Sequence, residues 1–330
     1  MTRHANASDL HKARTNMNWR KYKYIAVGSL TLVPGLHRAL RRGTGGTNSA
    51  RYCYSVWLRH MVLNRPWADA PIKAVAELGP GDSLGIGLCA LLCGAERYIA
   101  LDALPHATAD ANLAVFDELV ELFKAGAAIP DDREFPDVHP KLSTYEFPSR
   151  LLSHEVLDRS LATARLNALR DDLRRLQGRV TYRPRWQHEA HPPLQGVDLL
   201  ISQAVLEHVD ALEETYAAMF DWLAPGGVMS HQIDFKCHAT AAEWNGHLAY
   251  SDFAWRLMRG NRSYFINRRT PSEHLAAAAA AGFERLNLRR VLRHDGLPAN
   301  RLACRFQAMS EIDAKSSGGF LQAARPVGQV

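Results

Sequence analysis

The sequence predicts an α/β domain with a mostly parallel sheet, because short apolar segments alternate along the chain with segments of helical length. The first of the short segments ends at a glycine-rich turn, as a buried strand does. A length of 330 residues suits one large α/β domain with additions, or two domains. With 47% hydrophobic and 22% charged residues, the composition is that of a globular protein and excludes collagen-like and low-complexity chains.

Residues 1–70 are predicted to form a basic, helical N-terminal extension. The polar start of this extension is expected to fray, and a Gly/Thr-rich break follows at residues 43–48. Residues 50–63 then carry apolar and aromatic residues at helical spacing: Tyr52, Val56, Trp57, His60 and Leu63. We expect this helix to pack on the main domain, which begins at residue 71.

The main domain opens with a predicted strand–helix–strand unit. Residues 72–78 form a short apolar run that stops at a Gly-Pro-Gly turn, which is typical of a buried strand. A helix is predicted over residues 83–93 and a second strand over 98–101, which is followed by Asp102. So short a crossover predicts that the two strands are parallel.

A long insertion is predicted between the second and third strands, at about residues 103–178. Helix-like segments at 107–126 and 150–177 flank a stretch rich in Pro and Asp, and the next strand candidate begins only at Val180. A βα connection needs far fewer residues. We expect part of the insertion to form a cap over the active site.

The alternation of strands and helices resumes after residue 196. The predicted elements are a strand at 197–202, a helix at 212–223, a turn at 225–227, a strand at 228–235, a helix at 272–281, and two final strands at 283–291 and 302–309. The Ser-Ser-Gly-Gly run at 316–319 suggests a flexible tail.

Cysteine usage and hydropathy predict a cytoplasmic protein. Five cysteines are an odd number, and they include no Cys-x-x-Cys pair, which favours reduced thiols. The apolar stretch at 24–36 is too short for a membrane span and is broken by Gly and Pro. It is followed by Arg38, Arg41 and Arg42, where a secretory signal would have small residues.

Charge is unevenly distributed along the chain. The formal net charge is +11 for residues 1–65, −13 for 66–253 and +8 for 254–306. Basic flanks on an acidic body could attract an anionic small molecule or carbohydrate, or a membrane surface through residues 19–42. They could equally dock on the acidic body itself.

The most informative motif is Glu-Leu-Gly-Pro-Gly-Asp at residues 77–82, where a carboxylate ends a strand just before a Gly-x-Gly turn. Glycine lets the backbone approach a ligand closely, and the following helix N-terminus offers free N–H groups. A dinucleotide-binding fingerprint would need its third glycine at Leu84, and a P-loop would need a following Gly-Lys-Ser/Thr. The motif therefore predicts neither of those sites.

Four segments in order resemble the class I S-adenosylmethionine-dependent methyltransferases. They are Glu-Leu-Gly-Pro-Gly at 77–81, Asp102 at the second strand end, Asp-Leu-Leu-Ile-Ser-Gln-Ala-Val-Leu-Glu-His-Val at 198–209, and Leu-Ala-Pro-Gly-Gly at 223–227. The resemblance covers about residues 72–330. It implies a Rossmann-like, seven-stranded, mostly parallel sheet with helices on both faces, and S-adenosylmethionine as the cofactor.

The same resemblance implies a set of cofactor-binding residues: Glu77, Gly79, Gly81, Asp82, Asp102, Ser202 and Gln203. Glu77 and the glycine turn would border the methionine end of the cofactor. Asp102 would accept both ribose hydroxyls, since a carboxylate has two acceptor oxygens. Ser202 and Gln203 would lie beside the transferable methyl group. The usual acidic-small pair after the third strand is missing at residues 182–189, so no adenine contact is predicted.

Methyl transfer to a hydroxyl needs alignment of the reactants and a base, for which His208, His231 and Asp234 are the candidates. Strand periodicity places His231 and Ile233 on one face of the sheet and Asp234 on the other, near the carboxyl end of the strand. The Leu-Glu-His-Val segment that contains His208 also occurs in many enzymes of this family in which the histidine is not an acid–base catalyst. The predicted reaction is transfer to an oxygen of a small-molecule or carbohydrate-like acceptor.

The run from His231 to Glu284 resembles the acceptor side of a bacterial subgroup of these methyltransferases. His238, Tyr250, Asn267 and Arg268 are the predicted substrate-binding residues, and Arg268 would grip an anionic acceptor. The His-x-x-Asp-x-x-x-His spacing at 231–238 could also ligate a metal, but it would need a further carboxylate that the sequence does not locate. No metal site is therefore predicted.

Two other functional classes fit the sequence less well. The basic flanks favour an RNA methyltransferase, but no Asn/Asp-Pro-Pro-Tyr motif follows the fourth strand and no RNA-binding module is recognisable. Nucleic acid is therefore not expected as a partner. The second alternative is a non-catalytic interaction protein with a methyltransferase fold, which would be stable without turnover.

Overall fold

The computed structural model describes residues 7–32, 46–67, 71–186, 194–262 and 264–328, with side chains from Trp19 onward. It contains a seven-stranded sheet formed by β1 (Ala74–Leu78), β2 (Arg97–Asp102), β3 (Val180–Pro184), β4 (Val197–Gln203), β5 (Leu223–Asp234), β6 (Glu284–Leu292) and β7 (Ser316–Ala324). The strand order is β3-β2-β1-β4-β5-β7-β6. Strands β1 to β5 are parallel, and β7 runs antiparallel to β5 and β6 between them. The predicted fold class is confirmed.

Helices cover both faces of this sheet. The α-helices are α1 (Ala7–Leu30), α2 (Ala50–Asn64), α3 (Gly85–Leu92), α4 (Ala109–Lys124), α5 (His154–Ser160), α6 (Thr163–Arg175), α7 (Leu212–Trp222), α8 (Asp252–Arg259), α9 (Pro271–Ala280), α10 (Cys304–Gln307) and α11 (Glu311–Lys315). Adjacent strand residues alternate between two cores, with Val75 in one and Ala76 in the other. The first core holds α2, α3, α4 and α6, and the second holds α7 and α9.

The predicted helix at 50–63 is confirmed as α2, and it belongs to the first core. Ser49 caps its N-terminus by accepting from the backbone N–H of Tyr52. Trp57 is 2% exposed and packs among α3 and α4 residues, so α2 is an integral part of the domain. Helix α1 contacts α8 instead, and Gly28 allows the close approach because a Cβ there would lie 2.1 Å from the Leu257 carbonyl oxygen.

The connection between β2 and β3 contains α4, α5 and α6, so the helix expected over 150–177 is two helices separated at residues 161–162. Its loop at 126–148 is fixed to α2 by Arg59, whose guanidinium is fully buried. Arg59 Nη1 donates to the carbonyl oxygens of Val138 and Pro140 at 3.1 and 2.9 Å. The loop reaches the carboxyl edge of the sheet, where the His139 carbonyl accepts from Gln203 Nε2 at 3.2 Å.

Two predictions at the C-terminal end are wrong. Residues 302–309 were expected to form a strand, but they contain the short helix α10, and the last strand is β7. The small residues at 316–319, expected in a flexible tail, begin β7. Their size has a packing reason: a Cβ at Gly319 would lie 2.8 Å from Leu288 Cδ1 and 3.2 Å from Phe235. Every residue of β7 is buried between its two neighbours.

Within the described ranges, none of the helices combines the length and apolar character needed to cross a membrane. Of the segment predicted to contact a membrane, residues 19–32 are described and 33–42 lie outside the described residues. Trp19 and Tyr22 of α1 are exposed, at 67% and 63%. Membrane contact through this segment stays a prediction.

Candidate functional site

The turn after β1 lies at the carboxyl edge of the sheet and packs directly on the connection that follows β4. Gly79 and Gly81 have φ angles of +63° and +79°, which non-glycine residues rarely adopt. A Cβ built at Gly79 would lie 2.7 Å from Val205 Cγ2. Glycine is therefore needed at Gly79 both for the backbone conformation and for the close packing of the two connections.

The N-terminus of α3, next to this turn, is closed by other parts of the chain. The N–H of Ser83 donates to Thr47 Oγ1 at 3.0 Å, and the N–H of Leu84 donates to Asn112 Oδ1 at 2.9 Å. Ser83 Oγ also donates to the Thr47 carbonyl oxygen. The expectation of free N–H groups at this helix end is wrong for these two amides, because Thr47, from the N-terminal extension, and Asn112 of α4 pack against them. Asp82 lies half-buried beside them.

Glu77 is buried at the end of β1 and faces the protein interior. Its Oε2 accepts a 2.5 Å hydrogen bond from Tyr98 Oη of β2. Burial raises the pKa of Glu77 to about 8, while the hydrogen bonds from Tyr98 and the Gly87 backbone lower it in part. These contacts make Glu77 a support for the glycine turn, and its contact with a cofactor stays a prediction.

Asp102 ends β2 at the same edge and retains acceptor capacity. It is 6% exposed, and it accepts long hydrogen bonds from the N–H of Leu104 at 3.3 Å and from Tyr182 Oη at 3.4 Å. Burial raises its pKa, and the backbone N–H of Leu104 opposes that rise. Tyr182 also donates to the Leu104 carbonyl at 3.1 Å. Tyr182 thus ties the end of β2 to the loop that follows it.

Ser202 and His231 face each other across β4 and β5, which pair in parallel at this position. Ser202 Oγ lies 2.8 Å from His231 Nδ1, and the two side chains are 1% and 0% exposed. Burial, with smaller contributions from His60 and His274, lowers the pKa of His231 to about 3. Ile233 belongs to the α7 and α9 core, as the alternation predicts for the His231 face.

The opposite face of the same strands carries a second polar chain. His60 Nδ1 of α2 lies 2.8 Å from Ser230 Oγ, and His60 Nε2 lies 3.3 Å from Gln203 Oε1. Gln203 Nε2 donates in turn to the His139 carbonyl oxygen. The side chain of Gln203 is thus tied between α2 and the loop at 126–148, which places both segments beside the end of β4.

The remaining catalytic candidates are His208, which follows β4, and Asp234, which ends β5. Both lie beside His238. The His208 and His238 rings lie 5.2 Å apart in an edge-to-face arrangement, and His238 Nε2 is 3.4 Å from Asp234 Oδ2. Asp234 also accepts from the N–H of Lys236 at 2.8 Å. His231 is not part of this group, since it lies on the other face of β5.

Ionisation of this group follows from burial and neighbouring charges. Burial and the adjacent His238 lower the pKa of His208 to about 4. Burial would raise the pKa of Asp234, but His238 and Lys236 together hold it below its ordinary value. Burial raises the pKa of Glu207 well above its ordinary value, with a further rise from Asp234. Asp234 is therefore ionised and His208 neutral near pH 7.

Three of the predicted substrate-binding residues, Tyr250, Asn267 and Arg268, form hydrogen bonds with other parts of the chain. Tyr250 Oη donates to the Thr240 carbonyl at 2.9 Å. Asn267 Nδ2 donates to the carbonyls of Leu206 and Val209 at 2.8 and 2.7 Å, which fixes the turn that carries His208. These hydrogen bonds stabilise the site from within.

Arg268 is similarly enclosed. Its guanidinium donates to the Tyr250 carbonyl at 2.7 Å and to Asp252 Oδ1 at 2.6 Å, and it lies over the rings of Trp255 and Phe306. The residue is 5% exposed. Burial lowers its pKa to about 10, so it keeps its charge near pH 7. Two of its donors are taken up by these contacts, and the side chain is largely shielded from an acceptor.

A cavity of about 350 Å³ opens beside His238 and Asp234. Lys236 and Trp244 line it, and Arg20 of α1 closes one side by donating to the Ala241 carbonyl at 2.9 Å. A separate cavity of about 400 Å³ is lined by α9 and α11 residues, including Glu273 and Asp313, and by Arg305. The first cavity contains the predicted acceptor-side residues His238 and Asp234.

Several residues of the site were not singled out from the sequence. Glu207, His60, His139 and Tyr182 come from four separate segments and meet only in the folded chain. Glu207 directly precedes His208 after β4, so the sequence could have indicated it as a site residue. No local pattern marks the other three.

No protein-family model matches the sequence, and a search of curated proteins finds no match. Among solved structures, an S-adenosylmethionine-dependent methyltransferase from Mesorhizobium loti is 15% identical, with 85% of this chain and 100% of that chain covered and a TM-score of 0.40. Phosphoethanolamine N-methyltransferase 2 of Haemonchus contortus is 10% identical (86% and 61% covered, TM-score 0.39). A methyltransferase from Methanosarcina mazei is 10% identical (81% and 98% covered, TM-score 0.41). Similarity at this level assigns neither activity nor substrate.

Proposed function

We propose that this chain is an S-adenosylmethionine-dependent methyltransferase that acts on an oxygen of a small-molecule or carbohydrate-like acceptor. The observation that carries the proposal is the arrangement at one edge of the sheet. The glycine turn after β1, the Asp102 carboxylate after β2 and the polar group after β4 and β5 come together there. Ligands bind at this carboxyl edge in open α/β sheets.

The residues present fit the cofactor. Gly79 and Gly81 leave two positions of the turn without side chains, in conformations that favour glycine. The hydrogen bonds that Asp102 accepts from Leu104 and Tyr182 are long, at 3.3 and 3.4 Å, so its oxygens retain capacity for a vicinal diol. Tyr182 holds this carboxylate in place. Gly79, Gly81 and Asp102 are the residues assigned to the cofactor most directly, with Asp82, Ser202 and Gln203 bordering them.

When bound, S-adenosylmethionine supplies a methyl group on a positively charged sulfur, so the protein's main tasks are alignment and exclusion of water. The glycine turn and the Val205 connection are in direct contact, which fixes the distance between the two halves of the site. Asn267 holds the turn after β4 through two carbonyl oxygens. These contacts keep the acceptor side rigid relative to the cofactor side.

The acceptor is assigned to the cavity beside His238. Asp234 is ionised near pH 7 and lines this cavity, so it takes the proton that an acceptor hydroxyl releases. Lys236 and Arg20 give the cavity a positive character that suits an anionic acceptor. His231 is assigned a positioning role, because it is buried against Ser202 on the other face of β5.

Calorimetric titration of S-adenosylmethionine and S-adenosylhomocysteine into the purified protein tests the cofactor assignment. The wild type should bind both, and Asp102→Ala and Asp102→Asn should bind each at least tenfold more weakly, about 1.4 kcal/mol. Asp117→Asn is the matched control, since Asp117 is a surface carboxylate paired with Arg170. Its affinity should equal that of the wild type.

The outcomes separate the alternatives. A folded wild type that binds neither molecule contradicts the proposal. Binding that is equally strong in the Asp102 variants places the cofactor elsewhere. Where binding is confirmed, transfer of a labelled methyl group to a panel of hydroxylated acceptors follows, and Asp234→Asn should lower kcat. Cofactor binding with no transfer to any acceptor would favour the non-catalytic interaction protein.

A further inference from the structure

The connections after β4 and β5 bring together three side chains that could bind one metal ion. Glu207 and His208 follow β4, and His238 follows β5. One ligand atom from each lies within 4.8 Å of the other two. Of the His-x-x-Asp-x-x-x-His spacing in the sequence, only His238 belongs to this set, and the carboxylate comes from Glu207.

Glu207 is buried and His208 is half-buried, and both have buried polar atoms with unmet hydrogen-bonding capacity. Glu207 is 3% exposed, and within the described residues neither of its carboxylate oxygens makes a hydrogen bond of ordinary geometry. His208 Nδ1 is likewise buried without a partner there. A buried polar atom left without a partner is costly, so several in one place need an explanation. A single cation among them would satisfy these atoms together.

The third ligand, His238, is held in an unusual conformation that faces the other two. Its φ angle is +45°, and that of Ala239 is +63°, so two successive non-glycine residues adopt the left-handed conformation. Asp234 Oδ2 lies 3.4 Å from His238 Nε2. A carboxylate beside a histidine is the arrangement by which proteins orient metal-binding imidazoles.

Glu207 offers a carboxylate to a cation, and the group is open to solvent on the His238 side. Lys236 is paired with Asp234 at 3.4 Å, whereas Glu207 forms no ion pair within the described residues. The His238 side chain is 33% exposed and lines the 350 Å³ cavity, so an ion can reach the group from solvent. The neighbouring His247 carries a further buried nitrogen, Nδ1, without a partner in the described part of the chain.

We propose that Glu207, His208 and His238 form a binding site for a divalent first-row transition cation of the zinc type. Two imidazoles and one carboxylate are a ligand set that Zn²⁺ accepts, whereas Mg²⁺ and Ca²⁺ prefer oxygen ligands alone. Three protein ligands leave a coordination position open toward the cavity. Binding of an acceptor oxygen at that position is a role that rests on the proposed methyltransferase function, but the site itself does not.

The test is titration of Zn²⁺ alone into the full chain, freed of affinity tags and stripped with a chelator. Calorimetry should show one ion bound per chain. Addition of Co²⁺ should give visible absorption bands that Zn²⁺ displaces. The first variant is His238→Asn, since Asn tolerates the positive φ angle. The second is Glu207→Gln, which keeps the shape of the side chain and removes its charge.

Each variant should weaken Zn²⁺ binding at least tenfold. His154→Asn, at an exposed position in α5, is the matched control and should bind as the wild type does. A wild type that binds no Zn²⁺ overturns the proposal, as does unchanged binding in both variants, which would indicate adventitious sites. If circular dichroism shows that Glu207→Gln does not fold, Zn²⁺ binding by His238→Asn, at a partly exposed position, is the deciding measurement.

Titration of S-adenosylmethionine into the same preparations distinguishes this proposal from the proposed function. Zn²⁺ binding without cofactor binding retains the metal site and contradicts methyl transfer. Cofactor binding without Zn²⁺ binding retains methyl transfer and overturns the metal site.

Discussion

Tyr98 Oη donates a 2.5 Å hydrogen bond to Glu77 Oε2 across β1 and β2, two residues before the glycine turn begins. Both side chains are buried, and burial raises the pKa of Glu77 to about 8. The carboxyl group is therefore largely protonated at neutral pH. The acidic residue of this motif supports the turn from inside the sheet, and an amide could make the same hydrogen bond.

Glu77→Gln should reduce the dependence of stability on pH. The pKa of Glu77 is about 8 in the folded chain against an ordinary value of 4.5. Its contribution to stability is thus full below pH 4.5 and falls by about 1.4 kcal/mol per unit as the pH rises toward 8. Because buried histidines such as His60 contribute with the opposite sign, the test is the difference in slope: by urea unfolding at pH 5.5, 6.5 and 7.5, the wild type and the exposed control Asp137→Asn should each lose about 1.4 kcal/mol per pH unit more than Glu77→Gln. Equal slopes in all three proteins would contradict the prediction.

His60→Gln should change the pH dependence in the opposite direction. Burial lowers the pKa of His60 to about 4, so its contribution is full above the ordinary value of 6.5 and is lost as the pH falls toward 4. Loss of contacts with Ser230 should cost about 1–3 kcal/mol at pH 7.5. Between pH 6.5 and 4.5 the variant should lose about 1.4 kcal/mol per unit less than the wild type. Equal slopes for His60→Gln and the exposed control His154→Gln would count against it.

Gly319→Val should destabilise the fold through β7. A Cβ at this position would lie 2.8 Å from Leu288 Cδ1 and 3.2 Å from Phe235, so the added side chain must displace these two side chains. We expect a loss of about 1–3 kcal/mol in the free energy of unfolding. Gly328→Val is the matched control, since no atom lies within 4 Å of a Cβ there. If residues 316–319 were a loose tail in solution, both variants would unfold at the same denaturant concentration.

Arg268→Met should act on stability rather than on acceptor binding. The buried guanidinium holds Asp252 and the Tyr250 carbonyl and stacks on Trp255, so its removal should cost about 2–4 kcal/mol. Arg269→Met is the control, because Arg269 makes more exposed pairs with two glutamates and should cost less than about 1 kcal/mol. Thermal and urea unfolding of both variants measure the difference, and equal costs would show that Arg268 is not structural.

Strand positions in the first part of the domain could be predicted because buried parallel strands are short apolar runs with distinct turns at their ends. The strand at 72–78 and the helix at 212–223 correspond closely to β1 and α7. The last strand could not be predicted in this way. Leu288 and Phe235 leave no room for a side chain at Gly319, but in the sequence the run at 316–319 is indistinguishable from a flexible linker.

By itself, the sequence determined the fold class, the glycine turn at 79–81 and the position of Asp102 at a strand end, because local periodicity and turn chemistry encode them. Only the tertiary structure decided which polar side chains face one another. It placed His231 in the interior, enclosed Arg268, and joined Glu207 to His208 and His238. The reason is physical: burial and side-chain partners arise from contacts between segments far apart in sequence, and no local pattern records them.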